Sequence, residues 1–179
     1  MRKLILLAVA AASLTPLPGS TLQQLSLTEM IQKSTLVVQG TAQPSYSAFR
    51  GSIIYTHYRV LVSKALKGAP EQLIDVAVPG GSVNGIHQYF AGAPTLTPGQ
   101  DYVFFLWTSK TGLTQVIGLS QGLFSVTSNA QGQVIVSRGA SSERMVDSSG
   151  QAVTDSNIQM PLAQLQGKIQ AALIGGSGQ

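Results

Sequence analysis

The sequence holds only two imidazoles, His57 and His87, 30 residues apart. Neither H-x-H nor H-x-x-x-H spacing occurs, and no carboxylate cluster offers a third ligand, so no metal and no other cofactor is expected. Only a fold that gathers His57, His87 and a distant aspartate would alter that. Gly118-Leu119-Ser120-Gln121-Gly122 spells the G-x-S-x-G of a nucleophile elbow. That elbow needs a strand, a sharp turn and then a helix, to lift the serine hydroxyl above the sheet. Here Leu123-Phe124-Ser125-Val126 follows, which has the pattern of a strand, so no catalytic residue is assigned. The acids Glu29, Glu71, Asp75, Asp101, Glu143, Asp147 and Asp155 are scattered over turn and cap positions and form no pair suited to glycoside chemistry.

The segment that invites a binding role is Pro79-Gly80-Gly81-Ser82-Val83-Asn84-Gly85. It lacks the Lys-Ser/Thr and the following helix that a phosphate cradle requires. It opens a connection over residues 79–99, longer than is usual inside a compact domain and of the kind that often carries binding. The residues expected to meet a partner are Gly80, Gly81, Ile86, His87, Gln88, Tyr89 and Phe90, which mix apolar bodies with polar tips.

Regular elements must position that segment. Ser26-Leu27-Thr28-Glu29 has the capping-box spacing, and Leu27, Met30 and Ile31 recur at helical intervals, predicting a helix near 27–34. Leu36 to Gly40 predicts a strand, and residues 43–52 a polar turn-rich stretch. Ile53 to Ser63 alternates, with Ile54, Thr56, Tyr58, Val60 and Val62 facing the core, and His57 beside Arg59 on a solvent-facing side. Leu73 to Val78 alternates again. Tyr102 to Trp107 is apolar throughout and is expected to be covered on both faces. Val116 to Val126 predicts two strands bent at Gly118 and Gly122. Asn129 to Gly132 is a hairpin turn before a strand at Val134 to Val136. Residues 137–157, rich in Ser, Asp, Gly and Gln, are expected to be a mobile excursion with a short hairpin at Asp147 to Gly150. Pro161 then suits the start of a helix over about 161–174, striped by Leu162, Leu165, Ile169 and Leu173, before a frayed Gly175-Gly176-Ser177-Gly178 tail. The fold class is mainly β: a small closed or partly open barrel, OB-like, with a short N-terminal and a C-terminal helix. An open sandwich is the alternative.

Met1-Arg2-Lys3, the apolar run Leu4 to Ala12 and the small residues after it follow the order of a secretory signal peptide, expected over 1–20. The run is too short to span a bilayer, which takes about 20 residues. Residues 21–179 then form one domain, placed outside the cytoplasm, periplasmic or secreted. Of the 11 Lys and Arg, losing Arg2 and Lys3 leaves nine against seven Asp and Glu. The nine are dispersed, unlike a nucleic-acid footprint. The 179 residues contain no cysteine, which excludes disulfides, thiolate metal sites and a cysteine nucleophile.

Taken in order, Leu36-Val37-Val38-Gln39-Gly40, Ile54-Tyr55-Thr56, Leu66-Lys67-Gly68, Val78-Pro79-Gly80-Gly81, Gly92-Ala93-Pro94, Pro98-Gly99, Val103-Phe104-Phe105-Leu106 and Gly118 to Phe124 resemble a family of exported bacterial proteins of unknown function. The resemblance covers about residues 25–136 and implies a small barrel similar in outline to netrin-like domains and tissue metalloproteinase inhibitors. It implies no catalytic residue. Those inhibitors chelate zinc through an N-terminal cysteine, which this chain lacks.

The expectation is therefore an exported, non-catalytic binding domain with its contact surface on residues 79–99. The partner expected is a protein, for which a secreted protease is one option, with no nucleic acid and no membrane span. The alternative is a small serine/histidine-type hydrolase of extracytoplasmic polymer, which needs a serine, His57 or His87, and an acid within hydrogen-bond reach.

Overall fold

The computed structural model describes residues 21–176, so the expected leader over 1–20 and the end of the glycine tail lie outside the described residues. β1 (Thr21–Gln23) leads into α1 (Leu27–Lys33). The capping box forms as the spacing predicts: Ser26 Oγ accepts from the Glu29 N–H, and the Glu29 carboxylate accepts from the Ser26 N–H. The far end of α1 is closed from another element. Lys67 Nζ donates to the carbonyls of Ile31, Gln32 and Ser34 at 2.7, 3.0 and 2.6 Å, and burial there lowers its pKa.

β2 (Leu36–Arg50) and β3 (Ile53–Lys67) form a long antiparallel ladder, flanked by β4 (Leu73–Pro79). The expected turn-rich stretch at 43–52 is strand as far as Arg50; only Gly51 and Ser52 turn. The register shifts between Ala42 and Ser45, so Gln43 and Pro44 have no ladder partner. Pro44, which has no N–H to donate, sits where none is needed. Pairing of residues 45–50 with 53–58 overrides their polar composition.

β5 (Gly81–Val83) and β6 (Ile86–Gln88) form a hairpin inside the expected long loop. β7 (Asp101–Thr108) pairs with β2 along one side. On its other side it pairs first with β8 (Thr114–Val116) and then with β9 (Leu123–Ser128). A 3₁₀ turn at Leu119–Gly122 makes that jog, and Gly122 packs so closely that a Cβ would lie 2.8 Å from the Ile117 carbonyl oxygen. β10 (Val134–Arg138) pairs with β9 across the expected turn, where Gly132 has φ 75°.

β11 (Arg144–Val146) and β12 (Ala152–Val153) pair with each other, and β1 adds to β11 in parallel. Residues 137–157 are thus tied down rather than a free excursion: Met145 is buried, and Arg138 grips Asp155. β13 (Ile158–Pro161) joins β10, and α2 (Leu162–Gly176) follows. Pro161 closes the strand instead of opening the helix, and the helix continues through Gly175 and Gly176.

The main sheet has the order β13-β10-β9-β7-β2-β3-β4, with β8 on β7. The chain is mainly β, and the path is open: among the described residues no ladder joins β4 to β13. One face carries Val37, Val103, Phe105 and Phe124 against Met30 and Ile31 of α1 and Leu165 and Ile169 of α2. The other curls around Val38, Tyr58, Val60, Val76, Val78, Phe104 and Leu106 and is covered by Leu96. Alternate residues of β7 enter the two clusters, which is why Tyr102 to Leu106 are all buried. Trp107 departs from the expectation and is 45% exposed. No described helix is long and apolar enough to cross a membrane.

Candidate functional site

The residues singled out over 80–90 gather where the β5–β6 hairpin folds back on β3. Thr56 and Gly80-Gly81 form the seam. Gly80 N–H donates to the Ile54 carbonyl and Thr56 Oγ1 to the Gly80 carbonyl, each at 2.8 Å. Gly80 and Gly81 have φ of 105° and 137°, and a Cβ on Gly81 would stand 2.6 Å from both Ser47 Oγ and Thr56 Oγ1. Glycine is needed there for conformation and for contact alike. Gln88 stitches the second strand of the hairpin down. Its Oε1 accepts from the Ile54 N–H at 2.7 Å and its Nε2 donates to the Ser52 carbonyl at 2.8 Å.

The fold-back encloses a cleft of about 190 Å³, which Gly80, Gly81, Gln88, Tyr89 and Phe90 line. Thr56, Tyr58, Val78, Pro79, Ala93, Pro94 and Thr95 complete it, and none of these residues carries a charge. Tyr89 stands 87% exposed at the mouth. Ile86 and His87 do not line the cleft. Ile86 is 53% exposed beside the hairpin turn, and His87 Nδ1 shares a hydrogen bond with Ser82 Oγ, its cross-strand partner. Tyr58 belongs to the core-facing set of β3 and so was legible as a core residue. Its second role, lining the cleft, depends on where the hairpin lands.

His57 keeps the expected outer side of β3 and is half-buried there. Its ring stacks on Tyr46, with centroids 4.9 Å apart and planes 10° apart. Nδ1 meets Asp75 Oδ1 at 2.7 Å, leaving the side chain 16% exposed. The register places Tyr46 and His57 opposite each other, with Asp75 on the neighbouring strand. Nothing in the sequence spacing marks this trio, because 18 residues separate His57 from Asp75.

The two imidazoles work apart. Thr56 touches Gly80, and alternation along β3 turns His57 to the opposite face. Among the described residues, no serine hydroxyl bonds to His57 and no carboxylate bonds to His87. Ser120 of the G-x-S-x-G lies in the 3₁₀ turn, with its N–H donating to the Gly92 carbonyl and a strand following. The glycines there serve the jog: Gly118 has φ 62°, and even Leu119 has φ 58°. Gln121 is buried and holds the N-terminal segment, accepting from the Leu25 N–H at 2.8 Å and donating to the Gln23 carbonyl at 3.0 Å. No group of three or more His, Asp or Glu suited to a metal occurs among the described residues.

Among the described residues Arg138 and Asp155 form the most buried ion pair. Nη1 and Nη2 grip the two carboxylate oxygens at 2.7 and 2.9 Å, with 6% and 2% of the side chains exposed. Burial alone would raise the Asp155 pKa. The guanidinium and the Ser141 and Ser156 N–H groups outweigh it, lowering the value from 3.8 to about 2. The pair ties residues 138–141 to 155–156 and lies apart from the cleft. Comparison with protein-family models, with curated proteins and with solved structures finds no match to this chain.

Proposed function

We propose that this chain is an exported, non-catalytic binding domain whose contact surface is the 79–99 segment. The observation that supports it is the fold-back of the β5–β6 hairpin. It builds an uncharged cleft and leaves two large apolar side chains, Tyr89 and Ile86, 87% and 53% exposed beside it. Water-facing apolar groups held on a pinned scaffold suit a partner better than they suit solvent. The open, curled sheet fits a partly open barrel of the OB-like type, related in outline to the exported family that the motifs resemble. The partner is a protein, for which a secreted protease is one option.

A photo-crosslinking residue placed at Tyr89 tests the surface, with Thr127 on the exposed end of β9 as control. An adduct that forms at Tyr89 and not at Thr127 is expected. Equal labelling at both positions, or none at Tyr89, refutes the surface. Export predicts that the protein recovered outside the cytoplasm has a mass lacking the leader. A full-length mass in the cytoplasmic fraction refutes that half of the reading.

The hydrolase alternative has one observation in its favour, the Ser82–His87 hydrogen bond. Under it, Ser82→Ala abolishes cleavage of an activated ester by the protein; if no cleavage is present to abolish, it falls.

A further inference from the structure

We infer that the cleft between the β5–β6 hairpin and β3 receives one ring of a proline-bearing, extended, uncharged peptide. This rests on the reading of 79–99 as the contact surface and names its ligand chemistry. At about 190 Å³ the cleft is smaller than the ~300 Å³ at which sites for drug-sized molecules begin, so it suits one ring of a longer chain.

The chemistry of the lining narrows the ligand further. Every lining side chain is uncharged, so a charged ligand would lose its water without gaining a counter-charge. Tyr58, Tyr89, Phe90, Pro79 and Pro94 supply flat or ring-shaped apolar surface. Two of the polar side chains are spent on the fold. Both ends of the Gln88 amide hold the hairpin down, and the Thr56 hydroxyl bonds the Gly80 carbonyl. The Tyr58, Tyr89 and Thr95 hydroxyls have no partner among the described residues. Of these three only Tyr58 is buried, with 7% exposed. The Tyr58 hydroxyl is not sealed from solvent as Arg138 Nε is, and Tyr58 lines the cleft.

A site of rings with free hydroxyl donors matches a chain that offers apolar rings and carbonyl acceptors. Proline in a polyproline II segment does both, and its stiffness keeps the ordering cost of binding small.

The test uses the full chain and acetylated, amidated decaproline, followed by amide NMR. The expected result is saturable shifts at Gly80, Gly81, Gln88 and Tyr89, with none from a capped Gly-Ala decamer or from maltohexaose. Tyr58→Phe keeps the ring and its packing. It should retain the spectrum elsewhere and weaken decaproline about fivefold, the worth of one net hydrogen bond. No shift at millimolar decaproline overturns the inference, as does equal affinity in Tyr58→Phe or a response to maltohexaose alone. A cross-link at Tyr89 without any decaproline response overturns the ligand class and leaves the contact surface standing; absence of both removes both.

Discussion

Replacing Asp155 with alanine strips a buried guanidinium of both its carboxylate bonds, at 2.7 and 2.9 Å, and the Ser141 N–H of its 2.8 Å acceptor. Breaking one side of a buried pair costs about 3–5 kcal/mol, a large part of the roughly 5–15 kcal/mol that holds a domain folded. The sole tryptophan, Trp107 on β7, reports global unfolding in urea by its fluorescence. The pH dependence gives an independent measure. The Asp155 pKa falls from 3.8 to about 2 on folding. The folded state therefore releases its proton more readily, and the stabilisation is fully present above pH 3.8 and lost as pH falls towards 2. A shift of this size corresponds to roughly 2 kcal/mol. Asp155→Asn should lack that part of the acid slope, while an Arg138→Met/Asp155→Leu double variant should recover most of the stability lost in Asp155→Ala. A loss under about 1 kcal/mol in Asp155→Ala, or identical acid slopes in Asp155→Asn and the parent, would refute the view that this pair anchors residues 137–157.

Three more substitutions probe the scaffold. Gly81→Ala places a Cβ 2.6 Å from two hydroxyls at φ 137°, so it should cost about 2 kcal/mol or more in urea unfolding and shift the Gln88 amide signals. Gln121→Leu removes the buried bonds to Leu25 and Gln23; hydrogen exchange at Leu25 should speed markedly, with about 2 kcal/mol lost overall. Lys67→Met uncaps three carbonyls at the end of α1 and should lower stability by about 1–3 kcal/mol, seen as a reduced urea midpoint with an unchanged slope.

Much of the scaffold was legible because it rests on local rules. The Ser26–Glu29 capping box forms within one turn and needs no distant partner. The alternation of Ile54, Thr56, Tyr58, Val60 and Val62 sets their face through the pleat of a single strand. The unbroken apolar run of β7 could be satisfied only by cover on both faces. Where local composition misled, a remote partner had decided the outcome. Residues 45–50 look like a turn and are strand because residues 53–58 pair with them. Residues 137–157 look like a free excursion and are fixed by β1 and by the Arg138–Asp155 contact.

The proposed contact surface divides the same way. Residue types alone single out the Gly80-Gly81 seam and the Gln88-Tyr89-Phe90 run, since paired glycines and adjacent aromatics are properties of a short segment. They do not reveal that Tyr58, from 22 residues before Gly80, lines the same cleft, or that Gln88 is spent on clamping Ile54 and Ser52. Local pattern sets which way a side chain leaves its own strand. Which other strand it then meets depends on register and bulges across the sheet, and that the amino-acid order of this chain determined only by folding as a whole.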